Sequence, residues 1–213
     1  MRTLDELINQ DDPAIPFVRQ WLAESSRPVE LLPPSERNGE VLVNLQITTR
    51  SPMGAIAYET GGILVDHGWL RILGSGHPKL PRDIAQWNAG RSSGHLLVAD
   101  DVAGGFFSVN GGSLGDDPGS VYYWAPDTLK WESLGLGYTD FLCWVLSDRL
   151  SAFYEGLRWN NWQADLQRVD GGQCFSFYPP LWTAEGTAES SSRKPIGVAD
   201  QYALNTEGWS QTE

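Results

Sequence analysis

The chain is 213 residues long, 41% hydrophobic and 20% charged, with a formal net charge of −12 and a pI near 4.6. That length suits one domain with a substantial core. The charge repels phosphate backbones, so a nucleic-acid partner is not expected; plain solubility accounts for the charge, and steering towards a basic protein is the functional alternative.

Cys143 and Cys174 are the only cysteines, too few for a disulfide framework or a zinc site. The acidic start MRTLDELINQDD lacks the apolar core of a signal peptide. No apolar run approaches the roughly 20 residues of a membrane span. The expected location is the cytoplasm, with no membrane contact. Ten tryptophans are unusual and point to large aromatic plugs between sheet and helices.

Taken in order, Thr3 and Glu6 have capping-box spacing ahead of a short helix. Asp12-Pro13 reads as an N-cap followed by a first-turn proline. The stripe Ala14, Phe17, Val18, Trp21 and Leu22 then marks a buried helix face. Leu31 to Gly39 reads as a Pro-rich connector. Val41, Val43, Leu45 and Ile47 alternate with Leu42, Asn44 and Gln46, which predicts a strand. Gly54 to Thr60 reads as a second strand, returning through Gly61-Gly62 to Ile63–Val65. Asp66-His67-Gly68 turns into Trp69–Leu73, so 41–73 is expected as an antiparallel meander. A short helix is expected around Ile84 and Trp87.

Leu96 to Asp100 and Phe106 to Val109 are predicted to pair across Gly104-Gly105. Val121–Trp124 and Leu129–Leu134 should pair across a Pro126-Asp127 turn. Thr139 is the expected N-cap of an amphipathic helix carrying Phe141, Leu142, Val145, Leu146, Leu150 and Phe153. A break is expected near Ser147-Asp148, because Arg149 intrudes on the apolar arc. Trp159, Trp162, Leu166 and Val169 form a second stripe, and Cys174–Tyr178 a strand. Residues 184–195 are Ser/Thr/Gly-rich and read as a flexible surface loop. The segment from Gly197 on is expected either to dock through Tyr202, Leu204 and Trp209 or to fray.

Catalytic motifs are scarce. His67, His77 and His95 sit in a turn, a Gly/Pro loop and a strand start, and none has metal-ligand spacing. Asp66 beside His67 reads as a solvated turn pair. Cys143 has no cationic activator. Gly135-Leu136-Gly137 lacks the lysine of a nucleotide loop, and Asp140 already occupies the helix start. Asp100, Asp101, Asp116, Asp117 and Asp127 cluster in or beside hairpin turns. Aspartate favours such places on local hydrogen-bonding grounds, and the functional alternative is an acidic patch offered to a basic protein. No cofactor is implied.

The hairpin LLVADDVAGGFFSV (Leu96 to Val109), the VYYW…W element (Val121 to Trp131) and the helix YTDFLCWVL (Tyr138 to Leu146) resemble the SUKH superfamily. Those small α+β domains serve as bacterial immunity proteins and eukaryotic scaffold modules. The superfamily's usual Gly-Asp after the first turn is Gly104-Gly105 here. Over its full length the chain also resembles an uncharacterised bacterial family defined only as a domain of unknown function. The resemblance implies a fold and a bias towards protein binding, and no residue-level site.

The reading is therefore a single α+β domain over residues 1–213. Its antiparallel sheet, a meander and two hairpins, packs against amphipathic helices. The expected function is non-catalytic protein binding through Asp100, Asp101, Asp116, Asp117, Asp127 and Trp124, with self-association left open. The alternative is an enzyme with a dispersed polar site, a hydrolase for instance.

Overall fold

The computed structural model describes residues 1–206. The N-terminal helices are α1 (Leu4–Leu7) and α2 (Ile15–Ala23), followed by strand β1 (Val29–Leu32) and helices α3 (Asn38–Leu45) and α4 (Pro52–Glu59). Then come β2 (Gly62–Val65), β3 (Leu70–Leu73), α5 (Ile84–Asn88), β4 (His95–Asp101), β5 (Phe106–Asn110), β6 (Ser120–Ala125) and β7 (Lys130–Gly137). Helices α6 (Tyr138–Val145), α7 (Arg149–Phe153) and α8 (Trp162–Asp165) precede β8 (Gln173–Tyr178), β9 (Ser192–Gly197) and α9 (Val198–Thr206). The first seven strands form one antiparallel sheet in sequence order, and β8–β9 form a separate ribbon. The fold is α+β.

The pleat sorts the large sheet into two faces. One cross-strand row runs Leu31, Ile63, Ile72, Ala99, Phe107, Tyr123. Helices α6 and α7 cover it, with Phe107 against Phe141 at 5.1 Å and Tyr123 against Phe153 at 4.9 Å between ring centroids. The adjacent row runs Leu64, Arg71, Asp100, Phe106, Trp124, Trp131 and faces the other way. The C-terminal elements cover its centre: Tyr202 of α9 packs edge-on to Phe106, and Arg71 donates to the Gln173 carbonyl of β8. A third cluster centres on Trp69, which is fully buried among Tyr154, Trp159 and Trp162.

The capping box at Thr3 and Glu6 forms, with Thr3 N donating to Glu6 Oε2 at 2.7 Å. Both C-terminal hairpins, the short helix over Ile84 and Trp87, the α6–α7 break and strand β8 occur where the residue patterns place them. The first half differs. Val41–Ile47 is not a strand: α3 buries Val41 and Leu42 against the neighbouring helices. Gly54–Thr60 is not a strand either. Ser51 Oγ accepts from Gly54 N at 3.1 Å and Pro52 takes the first helical position, so α4 starts there. The first strand of the sheet is instead Val29–Leu32, which runs into the start of the expected connector, and two helices separate it from β2.

Smaller shifts follow the same logic. Helix α2 begins at Ile15 and not after Asp12, and Phe17 is 52% exposed. Helix α6 is capped at Gly137 instead of Thr139. The stripe after Trp159 is split between α8 and a 3-10 turn over Leu166–Arg168. Within 184–195, Ala188 and Ser191 are buried and Ser192 begins β9. Tyr202 docks as expected, Leu204 is 51% exposed, and Trp209 lies outside the described residues.

Candidate functional site

The aspartates proposed as one acidic patch fall into two groups. Asp100 and Asp101 are buried, so neither belongs to an exposed patch. Asp100 lies directly opposite Arg71 on β3. Its Oδ1 is 2.6 Å from Arg71 Nη2 and its Oδ2 is 2.6 Å from Arg82 Nη2. Arg71 also donates to the Asp101 and Gln173 carbonyls, and Arg82 to the Gly171 carbonyl. One carboxylate thus holds two guanidinium groups and fastens the sheet to the chain leading into β8. Burial pulls the Arg82 pKa down, and Asp100 opposes that pull.

Asp101 points to the helical face. Its Oδ1 accepts from the backbone N–H groups of Ala103 and Gly105, both at 2.9 Å, which closes the β4–β5 turn. Its Oδ2 accepts from the hydroxyls of Tyr123 at 2.8 Å and Tyr154 at 2.9 Å. Burial raises the Asp101 pKa against these four donors, and desolvation beside Asp101 lifts both phenols well above their ordinary value. A Cβ on Gly105 would stand 2.2 Å from the Tyr123 hydroxyl, so this turn position needs glycine. Both aspartates are structural.

Asp116 and Asp127 are exposed and Asp117 is half-buried, all near the β6–β7 end of the large sheet. Asp117 accepts from the Tyr122 hydroxyl and, at 3.1 Å, from Ser133 Oγ; the phenolic bond is the main reason its pKa is lowered. Trp124 is half-buried and packs edge-on to Trp131 at 5.4 Å, with His95 tilted against Trp131 at 5.5 Å. Asp116 and Asp117 precede β6 and Asp127 follows it in the β6–β7 turn, so these three lie beside the last two strands, while Asp100 and Asp101 are buried and leave the exposed patch.

Strand β7 ends the sheet order and, among the described residues, pairs only with β6. It is eight residues long, contains no proline and is largely exposed. The opposite edge, β1, has four residues flanked by Pro28 and Pro33. An edge strand's unpaired N–H and C=O groups are a template for another strand, and proline blunts it.

The histidines are dispersed. His67 shares a cavity of about 220 Å³ with Arg71, Lys79 and Asp170. His77 Nδ1 accepts from Lys79 N, and His95 Nδ1 lies 3.1 Å from Ser113 Oγ. Burial lowers the His95 pKa. Among the described residues no histidine is hydrogen-bonded to a carboxylate, and no three His, Cys, Asp or Glu residues gather as a metal site. Cys143 is exposed, with a thiol pKa raised by partial burial and by Asp140; burial pushes the Cys174 thiol up to about 12.

Residue patterns missed Arg71 and Arg82. The signal for Arg71 was present: a lone arginine inside the apolar run Trp69–Leu73 demands a buried partner. Arg82 follows Pro81 in a loop and carries no such mark.

These features define an α+β protein whose buried aspartates and arginines brace a long antiparallel sheet. The chain belongs to the family described as protein of unknown function DUF2625, whose model matches residues 4–201. It is 46% identical over 210 residues to a putative uncharacterized protein, YbfG, of Escherichia coli (strain K12), covering 96% of this chain and 95% of that protein. It is also 46% identical over 214 residues to an uncharacterized protein of Haemophilus influenzae (strain ATCC 51907 / DSM 11121 / KW20 / Rd), covering 96% and 94%. No solved structure matches it. No described helix is long and apolar enough to cross a membrane.

Proposed function

We propose that this protein is a non-catalytic, cytoplasmic protein-binding module, immunity-like or scaffold-like, whose contact surface is the β6–β7 end of the large sheet. The observation that carries the reading is the proline-free edge of β7, unpaired among the described residues, beside exposed acidic side chains. A partner segment adding a strand there gains main-chain hydrogen bonds, while side-chain pockets set specificity. Asp116, Asp127 and Glu132 are exposed around that edge, and Lys130 is the one cation within β7, so the fitting partner is a basic, extended segment. Trp124 and Trp131 supply the aromatic surface that interface hot spots favour. A second copy pairing through β7 would bring these acids together, which disfavours self-association by that edge. The likeness of the two hairpins and α6 to the SUKH superfamily supports the same reading.

The test is capture of partners from the native host by the wild type and by an Asp127→Lys/Glu132→Lys variant. A basic protein retained by the wild type and lost by the variant is expected. Equal retention by both, or no capture together with turnover in a hydrolase screen, overturns the proposal.

A further inference from the structure

A second surface, remote from β7, has the opposite electrostatic character. A cavity of about 320 Å³ lies between α5 and the start of α9, lined by Arg82, Trp87, Arg91, Gly172, Val198 and neighbouring residues. In a chain with 27 acidic and 15 basic residues, this cavity is lined, among the described residues, by two arginines and no carboxylate. Both guanidinium groups lie over the Trp87 ring, Arg91 at 4.3 Å and Arg82 at 5.2 Å from its centroid. Arg91 donates to the Trp87 carbonyl and is paired with no carboxylate among the described residues.

The donors around this cavity outnumber their acceptors. The Arg82 side chain is 10% exposed, and its Nε has no hydrogen-bond partner among the described residues. Trp87, 4% exposed, buries its Nε1 likewise without a partner. Arginine and tryptophan side chains can only donate, so an acceptor must come from outside the set. Behind Arg82, the single Asp100 carboxylate is shared by two arginines, which leaves one buried positive charge unmatched within that trio. The first turn of α9 adds the positive end of a nine-residue helix. Asp200 in that turn works against an anion: its Oδ2 approaches Gly197, within 2.8 Å of where a Cβ would stand.

We infer that this cavity is a binding site for a small oxyanion, a phosphoryl or carboxylate group seated between Arg82 and Arg91 at the start of α9. Trp87, Pro81 and Val198 provide the apolar wall for whatever body carries the group. The site is independent of the β7 edge.

The experiment titrates the full chain with inorganic phosphate, and separately with acetate, at constant ionic strength held with chloride. Binding is read by calorimetry and by thermal shift. Saturable binding of phosphate alone identifies a phosphoryl site, and saturable binding of acetate identifies a carboxylate site. Arg91→Gln, at an exposed residue, should weaken binding about tenfold, the scale of one charge-assisted hydrogen bond. Asp200→Asn should tighten it, and Arg19→Gln on α2 should leave it unchanged. No saturation beyond chloride, or equal affinity in wild type and Arg91→Gln, overturns the inference.

Discussion

Arg71 and Asp100 face each other across β3 and β4 with Nη2 and Oδ1 2.6 Å apart, their side chains 2% and 0% exposed. Removing Asp100 leaves both Arg71 and Arg82 buried without a counter-charge. Asp100→Ala should therefore lose about 3–5 kcal/mol of stability. The exposed Arg37–Glu40 pair, at 3.0 Å, is the contrast, and Glu40→Ala should cost far less than Asp100→Ala. Urea unfolding of the two variants checks both, and similar losses would show that the buried trio is not the stronger brace.

Alkaline pH should destabilise the protein. The folded pKa of Cys174 is pushed up to about 12, and those of Tyr123 and Tyr154 lie well above their ordinary value. The unfolded chain releases these protons at ordinary values while the native state keeps them. The unfolded state then binds fewer protons, so stability is full below the ordinary values and falls as pH rises through the shifted ones. Each group contributes a slope of about 1.4 kcal/mol per pH unit within its window. Denaturation midpoints followed upward from about pH 8 test this, and Tyr154→Phe should flatten the fall.

Trp69 joins β3 to the segment around Tyr154, Trp159 and Trp162, and Arg158 stacks on its ring at 4.9 Å. Trp69→Ala should cost about 3–5 kcal/mol through the cavity left behind. Trp69→Phe should cost less, because a ring still fills part of the space. Thermal unfolding ranks the pair, and an equal shift for both would refute the hub.

Helix α4 rests on Ser51 at its N-cap. Ser51→Ala should lose about 1 kcal/mol, and Ser51→Asp should retain most of it by keeping an acceptor for Gly54 N. Chemical denaturation distinguishes the outcomes, and a neutral Ser51→Ala would mean that packing alone holds the helix.

The sequence by itself determined the two hairpins and the helix break in the second half of the fold, while β9 rose out of a stretch that reads as a loop. Both hairpins declare themselves because their turns are local and the flanking residues alternate with period two. The α6–α7 break was legible because Arg149 interrupts an apolar arc. The same reasoning failed at Val41–Ile47, where a short apolar run fits a strand or a buried helix equally, and packing against the other helices decided the matter. Ser51-Pro52 did announce a helix start, and the β-branched and aromatic residues after it masked the signal. Only the tertiary structure decided which aspartates meet solvent. Asp100 and Asp101 are neighbours in a turn-rich stretch, yet the pleat sends one to Arg71 and Arg82 and the other to Tyr123 and Tyr154. These partners lie 18 to 53 residues away along the chain, and no local pattern encodes a pairing at that range.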